Sequence, residues 1–353
     1  MKKLLKIFIW IIAVFLVIFV SASVYIAFNG KQLVVDQIEK NLKMKTTLEK
    51  ISLSMPLSVH LTGLKIGDLF KADKISISPN IFSLFPGKLV LGSVTLVNPE
   101  VTLVQDADGK LNIPKLEGGG GAPPVMITGL TVENGKINFT DKKVSPEGLT
   151  TILSGVNGRI SKVMMPLTSL NADFNLDAQV QSAENKRVGD LSLKGWIDFR
   201  RKDMDAEFKV KDLDAVYFEP YYGDFLSQKK LLTANLNLTS AFKAQNNDLN
   251  IDTDLRLSNL TYAPEEPQAQ GEVSVFSFEK QALDLFTDKE GNLKLEFNIE
   301  TKLDKPELGG KKLRKVILAA AAKNLINQNP GDVYEKVMDI GKQFEQLFKK
   351  KKD

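Results

Sequence analysis

The stretch from Leu170 to Val180 reads LNADFNLDAQV and decides the fold. Apolar residues occupy every second position, and polar residues stand between them. Because successive side chains of a β-strand point to opposite faces, the stretch predicts a strand with one apolar face and one polar face. Its alternation is longer than the 5–6 residues or so of an average strand.

The same two-residue period recurs along the rest of the chain. Turn residues bound each run, which is typical of antiparallel hairpins. The apolar positions of these runs are Leu191, Leu193, Ile197 and Phe199; Met204, Ala206, Phe208 and Val210; Leu232, Ala234, Leu236, Leu238 and Phe242; Leu249, Ile251, Leu255 and Leu257; and Leu293, Leu295, Phe297 and Ile299. Shorter runs between Thr46 and Leu103 extend the pattern. The sequence therefore predicts a mainly β protein with a long antiparallel sheet.

The apolar character of the first thirty residues predicts a membrane anchor. No charged residue interrupts the sequence from Ile7 to Gly30, and about 20 apolar residues are enough for a helix to cross a bilayer. Lys2, Lys3 and Lys6 precede this run, so the positive-inside rule places residues 1–6 in the cytoplasm. A cleaved signal peptide is the alternative, but its apolar region is usually about 7–15 residues long. The length favours a retained transmembrane helix over residues 7–29.

The remaining chain divides at a Gly- and Pro-rich stretch. Residues 117–124 read EGGGGAPP, which is typical of a flexible joint. We predict an N-terminal helix and β portion over 30–116 and a second β portion over 125–305. Residues 306–353 predict helices. Within these parts, Lys31–Lys45 has a helical period. Its apolar stripe would face either lipid headgroups or the edge of the domain, and we expect the edge of the domain. Residues 278–288 are expected to form a short helix.

The inventory of reactive side chains is small. The chain has no cysteine and one histidine, His60, which sits in a predicted strand and is expected to face solvent. Asp203 and Asp205, and Asp252 and Asp254, share strand faces, but we expect them to be solvated carboxylates. No nucleotide-binding or metalloprotease motif is present, and a net charge of +4 gives no indication of nucleic-acid binding. We therefore predict a protein that is not an enzyme and needs no cofactor or metal.

The pattern alone leaves open what covers the apolar face. One solution is the closed core of a sandwich or barrel, and the other is a sheet curled into a trough that holds acyl chains. A two-residue period does not distinguish these solutions, because it gives no information about what lies opposite the apolar face.

Four stretches resemble the AsmA-like family of bacterial envelope proteins, which is related to the TamB group and to bridge-like lipid-transfer proteins. The stretches are the anchor with DQIEKNL (36–42) and the strands through GLKI (63–66); GSVTLVNPEVTL (92–103) with DGKLN (108–112); ITGLTVENGKINFTD (127–141); and residues 291–306, which begin with GNL and lead into the terminal helices. Together they span most of the chain.

The resemblance implies a single-pass protein of the bacterial inner membrane with its body in the periplasm. It also implies an open apolar β-groove and a role in phospholipid transfer and outer-membrane biogenesis, with membrane phospholipids and envelope proteins as partners. An assembly factor with a closed β core that binds an envelope protein or glycan is the alternative function. The groove residues that would contact lipid are Leu170, Phe174, Leu176, Val180, Leu191, Leu193, Ile197, Phe199, Phe208, Val210, Leu236, Leu238, Phe242, Ile251, Leu255, Leu257, Leu295, Phe297 and Ile299.

Overall fold

A computed structural model describes residues 25, 29–55, 58–79, 90–114, 125–165, 171–222, 231–263, 292–306, 316 and 320. These residues form a mainly β protein with a long, mostly antiparallel sheet and few helices, which confirms the predicted fold class at this level. Among them, no helix combines the length and apolar character that a bilayer crossing requires. The predicted transmembrane helix over 7–29 falls almost entirely outside the described residues, as do the joint at 117–124 and the helix at 278–288.

The described residues contain fourteen strands, and the chain divides into two compact units, Met1–Ala178 and Gln179–Asp353. The strands are β1 (Thr46–Thr47), β2 (Lys50–Ser54), β3 (Ser58–Ile66), β4 (Phe70–Pro79), β5 (Val90–Val97), β6 (Glu100–Gln105), β7 (Val125–Asp141), β8 (Leu149–Met165), β9 (Asn171–Gln181), β10 (Arg187–Asp198), β11 (Asp203–Asp214), β12 (Leu231–Gln245), β13 (Asp248–Tyr262) and β14 (Leu293–Lys302).

Helix α1 (Lys31–Leu42) covers part of the apolar face of the first unit. Its residues Val34, Val35, Ile38 and Leu42 pack against a cluster of buried side chains on β2–β5 and the segment before them. The cluster consists of Leu48, Ile51, Leu61, Leu64, Ile66, Ala72, Ile75 and Val94. The four-residue spacing of the helix therefore serves packing against the sheet, as the sequence predicted.

Two parallel pairings interrupt the antiparallel pattern of the first unit. Strand β5 pairs with the first half of β7, and β6 pairs with its second half, both in parallel. Parallel neighbours need a crossover of a dozen or more residues, and the connection between Gln105 and Val125 is long enough to provide one. Alternating hydrophobicity does not report strand direction, so the sequence prediction of antiparallel strands missed this feature.

Three asparagines are linked by hydrogen bonds across neighbouring strands of the first unit, next to a shift in strand register. Asn98, between β5 and β6, and Asn134, in β7, have positive φ angles of 48° and 52°. The Asn98 Nδ2 donates to Asp73 Oδ2 at 2.7 Å, and the Asn134 Nδ2 donates to Asn98 Oδ1 at 2.8 Å. The Asn134 backbone N–H donates to Asn157 Oδ1 at 2.9 Å, beside a register shift between β7 and β8. Asparagine suits these positions because it tolerates the left-handed conformation and bridges neighbouring strands.

The second unit contains an antiparallel series of strands, β10 to β14, each paired with the next. A short 3₁₀-helix (Ala215–Phe218) and helix α2 (Glu219–Tyr222) follow β11. The side chain of Asp214 caps the 3₁₀-helix by accepting a hydrogen bond from the Val216 N–H at 3.0 Å.

Replacing Asn134 tests whether its backbone conformation stabilises the first unit. Asn134→Ala and Asn134→Gly both remove the side-chain hydrogen bond to Asn98, but only alanine resists a positive φ angle, at a cost of about 1–2 kcal/mol. We expect the alanine variant to unfold at a lower urea concentration than the glycine variant. Equal unfolding midpoints for the two variants would contradict the assigned conformation.

Candidate functional site

The candidate site is the apolar face of the second unit, which is built from five rows of paired residues, four across β10–β14 and the fifth across β11–β14. Antiparallel pairing aligns one residue from each strand, so the alternation of each strand becomes a continuous surface. The rows, from first to fifth, are Ile197, Met204, Ala244, Leu249 and Thr301; Gly195, Ala206, Phe242, Ile251 and Ile299; Leu193, Phe208, Ser240, Thr253 and Phe297; Leu191, Val210, Leu238, Leu255 and Leu295; and Leu213, Leu236, Leu257 and Leu293.

The opposite face of the same strands is charged. The Lys209 and Lys194 ammonium groups lie 2.8 and 3.0 Å from Glu207 Oε1, and hydrogen bonds from these two lysines lower the pKa of the Glu207 carboxyl. The Arg256 guanidinium donates two hydrogen bonds of 2.9 Å to Asp254 and lowers the pKa of that carboxyl. Because their pKa values are lowered, the Glu207 and Asp254 carboxyls are ionised at neutral pH, so the two faces differ sharply in polarity.

The burial of the apolar face varies from one position to the next. Ala206, Ile251 and Leu295 are 3%, 4% and 5% exposed, whereas Phe208, Leu238 and Phe297 are only half-buried. Among the described residues, no large side chain is less than 2% exposed. The centre of a close-packed two-layer core would bury its large side chains fully. The described part of the chain therefore leaves the middle of this face partly accessible.

Helical residues cover the outermost rows, the fifth on one side and the first and second on the other. At one end, Ala215 and Val216 of the 3₁₀-helix pack with Leu236 and Leu257 of the fifth row. At the other end, Val316 packs against a cluster that includes Leu249 and Ile251 of the first and second rows. Val316 and Ala320 are both helical, as the sequence predicted for this region. Between these contacts, the half-buried side chains of the third and fourth rows are Leu193, Phe208, Phe297, Leu191, Val210, Leu238 and Leu255.

One polar pair interrupts the apolar face at its third row. Ser240 and Thr253 are 5% and 7% exposed, and their hydroxyl oxygens lie 3.0 Å apart. Each hydroxyl thus provides the partner that a buried polar group requires. The sequence pattern did not assign either residue to the face, although both occupy inward positions of their strands.

Most of the predicted lipid-contact residues lie on these rows. They are Leu191, Leu193, Ile197, Phe208, Val210, Leu236, Leu238, Phe242, Ile251, Leu255, Leu257, Leu295, Phe297 and Ile299. Sequence reasoning missed Leu213, because a register shift after Val210, with Asp212 at a positive φ angle of 50°, returns Leu213 to the apolar face. The sequence carries a visible signal for this shift, since Leu213 breaks the two-residue period of β11.

The other predicted lipid-contact residues lie elsewhere. Phe174 and Leu176 are half-buried on β9 in the first unit, and Val180 is a buried residue of the second unit. Phe199 lies in the turn after β10 and is 45% exposed, so it belongs to none of the rows. Leu170 lies outside the described residues.

The lone histidine is held by two serines in the first unit. The His60 Nε2 lies 2.7 Å from Ser54 Oγ, and its Nδ1 lies 3.0 Å from Ser76 Oγ. His60 is half-buried, whereas the sequence led us to expect a solvated side chain. The described residues contain no group of three or more His, Cys, Asp or Glu side chains arranged to hold a metal ion.

Comparisons with known proteins give no match. No protein-family model and no curated protein matches the sequence, and no solved structure matches the fold.

Placing a charge at Val316 tests the cover over the first two rows. In Val316→Asp, a carboxylate would replace a half-buried apolar contact, and desolvating it would oppose docking of the helix. We expect increased fluorescence of an apolar-surface dye such as ANS, with an unchanged far-UV CD spectrum. Leu232→Asp, at a position that is 50% exposed, is the control; equal dye binding by both variants would count against the assigned contact.

Proposed function

We propose that the protein holds lipid acyl chains on the apolar face of the second unit and assists phospholipid transfer in the cell envelope. The supporting observation is the continuous set of five apolar rows whose middle members include half-buried side chains. A surface of this kind removes hydrocarbon from water, and each buried methylene contributes about 0.8 kcal/mol.

The dimensions of the rows suit an acyl chain. Five strands are separated by four spacings of about 4.8 Å, so a full row crosses roughly 19 Å. A bilayer has a hydrocarbon core about 30 Å thick, so a lipid chain in one leaflet reaches about 15 Å. One acyl chain therefore fits along a row or obliquely across several rows.

The proposed reaction is physical transfer, which needs no covalent step. The apolar residues would solvate the chains while the polar headgroup stays at the open side, in contact with water. The sequence expectation of a protein that is not an enzyme and has no cofactor agrees with this proposal.

The location of the protein is part of the proposal. The apolar run at residues 7–29 would anchor the chain in the bacterial inner membrane, with residues 1–6 in the cytoplasm and the body in the periplasm. The resemblance of four stretches to the AsmA-like family supports this location, and also a role in outer-membrane biogenesis. An anchored body would lie beside the bilayer, where lipid could reach the apolar face without crossing bulk water.

A second candidate function is that of an assembly factor with a closed core. The observation that favours it is the ordinary packing at the ends of the rows, where Leu231 and Ala234 at one end and Leu249 at the other are 5%, 2% and 5% exposed. In that case the polar face would bind an envelope protein or glycan, and the apolar rows would have only a structural role.

Leu238→Asp distinguishes the two functions. Leu238 is a half-buried residue of the fourth row, and its neighbour Thr239 faces the polar side of β12. If lipid occupies the face, native mass spectrometry of the purified full chain should show bound phospholipid, and Leu238→Asp should lose it without unfolding. In a closed core, the same carboxylate would be buried without a partner and would unfold the unit.

Thr239→Asp is the matched control, because it adds the same charge one residue away on the exposed face. We expect this variant to keep both its fold and its bound phospholipid. Wild-type protein free of lipid, or a Leu238→Asp variant that is unfolded, would exclude the acyl-chain proposal.

The anchor is tested by extraction of membranes with alkaline carbonate. The full chain should stay with the membrane pellet, because a transmembrane helix resists this treatment whereas a peripheral protein does not. A variant in which a cleavable signal peptide replaces residues 1–30 should appear in the soluble periplasmic fraction. Release of the wild-type chain by carbonate would overturn the anchor.

A further inference from the structure

Two aromatic side chains are exposed at the end of β10 and in the turn that follows it. Trp196 is 39% exposed near the end of β10, and Phe199 is 45% exposed in the turn that follows. Each of these large apolar side chains loses stabilising burial, and two of them within four residues make this end of the second unit a candidate contact surface.

Two arginines follow the aromatic pair directly. Arg200 is exposed, and no ion pair of its guanidinium is found among the described residues; the Arg201 side chain is 70% exposed and lies 3.9 Å from Asp198. The Asp198 Oδ1 accepts hydrogen bonds from the backbone N–H groups of Arg200 and Arg201, each at 3.0 Å. Asp198 is 7% exposed, whereas both arginine side chains extend toward solvent.

The neighbouring turns hold this one in place. The Asn247 N–H donates to the Lys202 carbonyl at 2.9 Å, and the Leu303 N–H donates to the Asn247 carbonyl at 3.0 Å. The Lys202 Nζ lies 2.7 Å from Asp304 Oδ2, and the Asn246 N–H donates to Asp203 Oδ1 at 2.8 Å. Three chain segments, at residues 199–203, 246–248 and 303–304, are thus joined into one rim at the end of the second unit.

We propose that this rim, through Phe199, Arg200 and Arg201 and together with the adjacent Trp196 of β10, docks on the surface of a bilayer that contains anionic lipids. Trp and Phe partition into the region between headgroups and acyl chains, and cations beside them are attracted to anionic headgroups. Arginine also keeps its charge in water while its stem lies against apolar surface. The combination of exposed aromatic rings with two exposed arginines, one of which has no ion pair among the described residues, fits a lipid surface better than it fits a purely polar partner.

The docking surface is separate from the apolar rows. Phe199 lies in the turn, and Trp196 alternates with Ile197, so its side chain faces the polar side of β10. The proposal therefore stands whether or not acyl chains occupy the rows, and bound phospholipid measured by mass spectrometry reports on the rows alone.

The sequence provides a direct probe, since its only tryptophans are Trp10 and Trp196. The full chain carrying Trp10→Phe, held in phosphatidylcholine nanodiscs, is mixed with vesicles whose acyl chains are brominated, with or without phosphatidylglycerol. We expect vesicles with phosphatidylglycerol to quench the Trp196 emission, and high salt to reverse the effect. At about 1 kcal/mol for each arginine, Arg200→Gln with Arg201→Gln should weaken vesicle binding about 30-fold.

Two controls separate docking from general charge effects. Lys142→Gln with Lys143→Gln removes two exposed cations from another turn and should leave quenching unchanged. Arg200→Lys with Arg201→Lys preserves the charges and should retain binding. The proposal is overturned if anionic vesicles do not quench Trp196, if the glutamine and control variants behave alike, or if the lysine variant loses binding, which would indicate a partner that recognises guanidinium geometry.

Discussion

The alternation of side chains along antiparallel strands is the constraint on which the rest of the structure depends. Backbone hydrogen bonds align Phe242, for example, with Ala206 on one side and Ile251 on the other, so that an apolar residue on this face of β12 meets an apolar neighbour on each side. The same alignment places Lys209, Thr239 and Asp254 in one row on the other face. A sheet built in this way has one surface that must avoid water, and the protein must supply a cover for it.

The cover supplied by the described residues is uneven. Helix α1 packs on the first unit, and the 3₁₀-helix and Val316 pack on the two ends of the rows in the second unit. Between those ends, Leu238 and Phe208 stay half-buried. Each half-buried large apolar side chain gains only part of the stabilising free energy of full burial, which is roughly 1.5–3 kcal/mol. Such an arrangement is disadvantageous for a purely structural core, but it suits a surface that a hydrophobic ligand completes.

The sequence predicted the faces well, because side-chain alternation is a local property. It located Leu238 and Thr239 on opposite sides of one strand and predicted the helical packing of Ile38 and Leu42. It did not predict what depends on register or direction: the parallel pairing of β7, the shift that brings Leu213 onto the apolar face, or the serines around His60. The parallel pairing and the serine contacts join residues far apart in sequence, such as His60 and Ser76, whose pairing no local period encodes. The Leu213 shift, by contrast, has a local signal in the broken period of β11.

Phe199 shows how a surface contact can arise from the same pattern. By alternation from Leu191, Leu193 and Ile197, its side chain belongs with the apolar rows. However, β10 ends at Asp198, whose carboxylate binds the N–H groups of Arg200 and Arg201 and turns the chain. The apolar side chain that would have continued the row is thereby directed to the outside, next to two arginines. Here the strand ends one residue before the alternation of apolar residues ends. The last apolar position is therefore exposed at the rim and not part of the core.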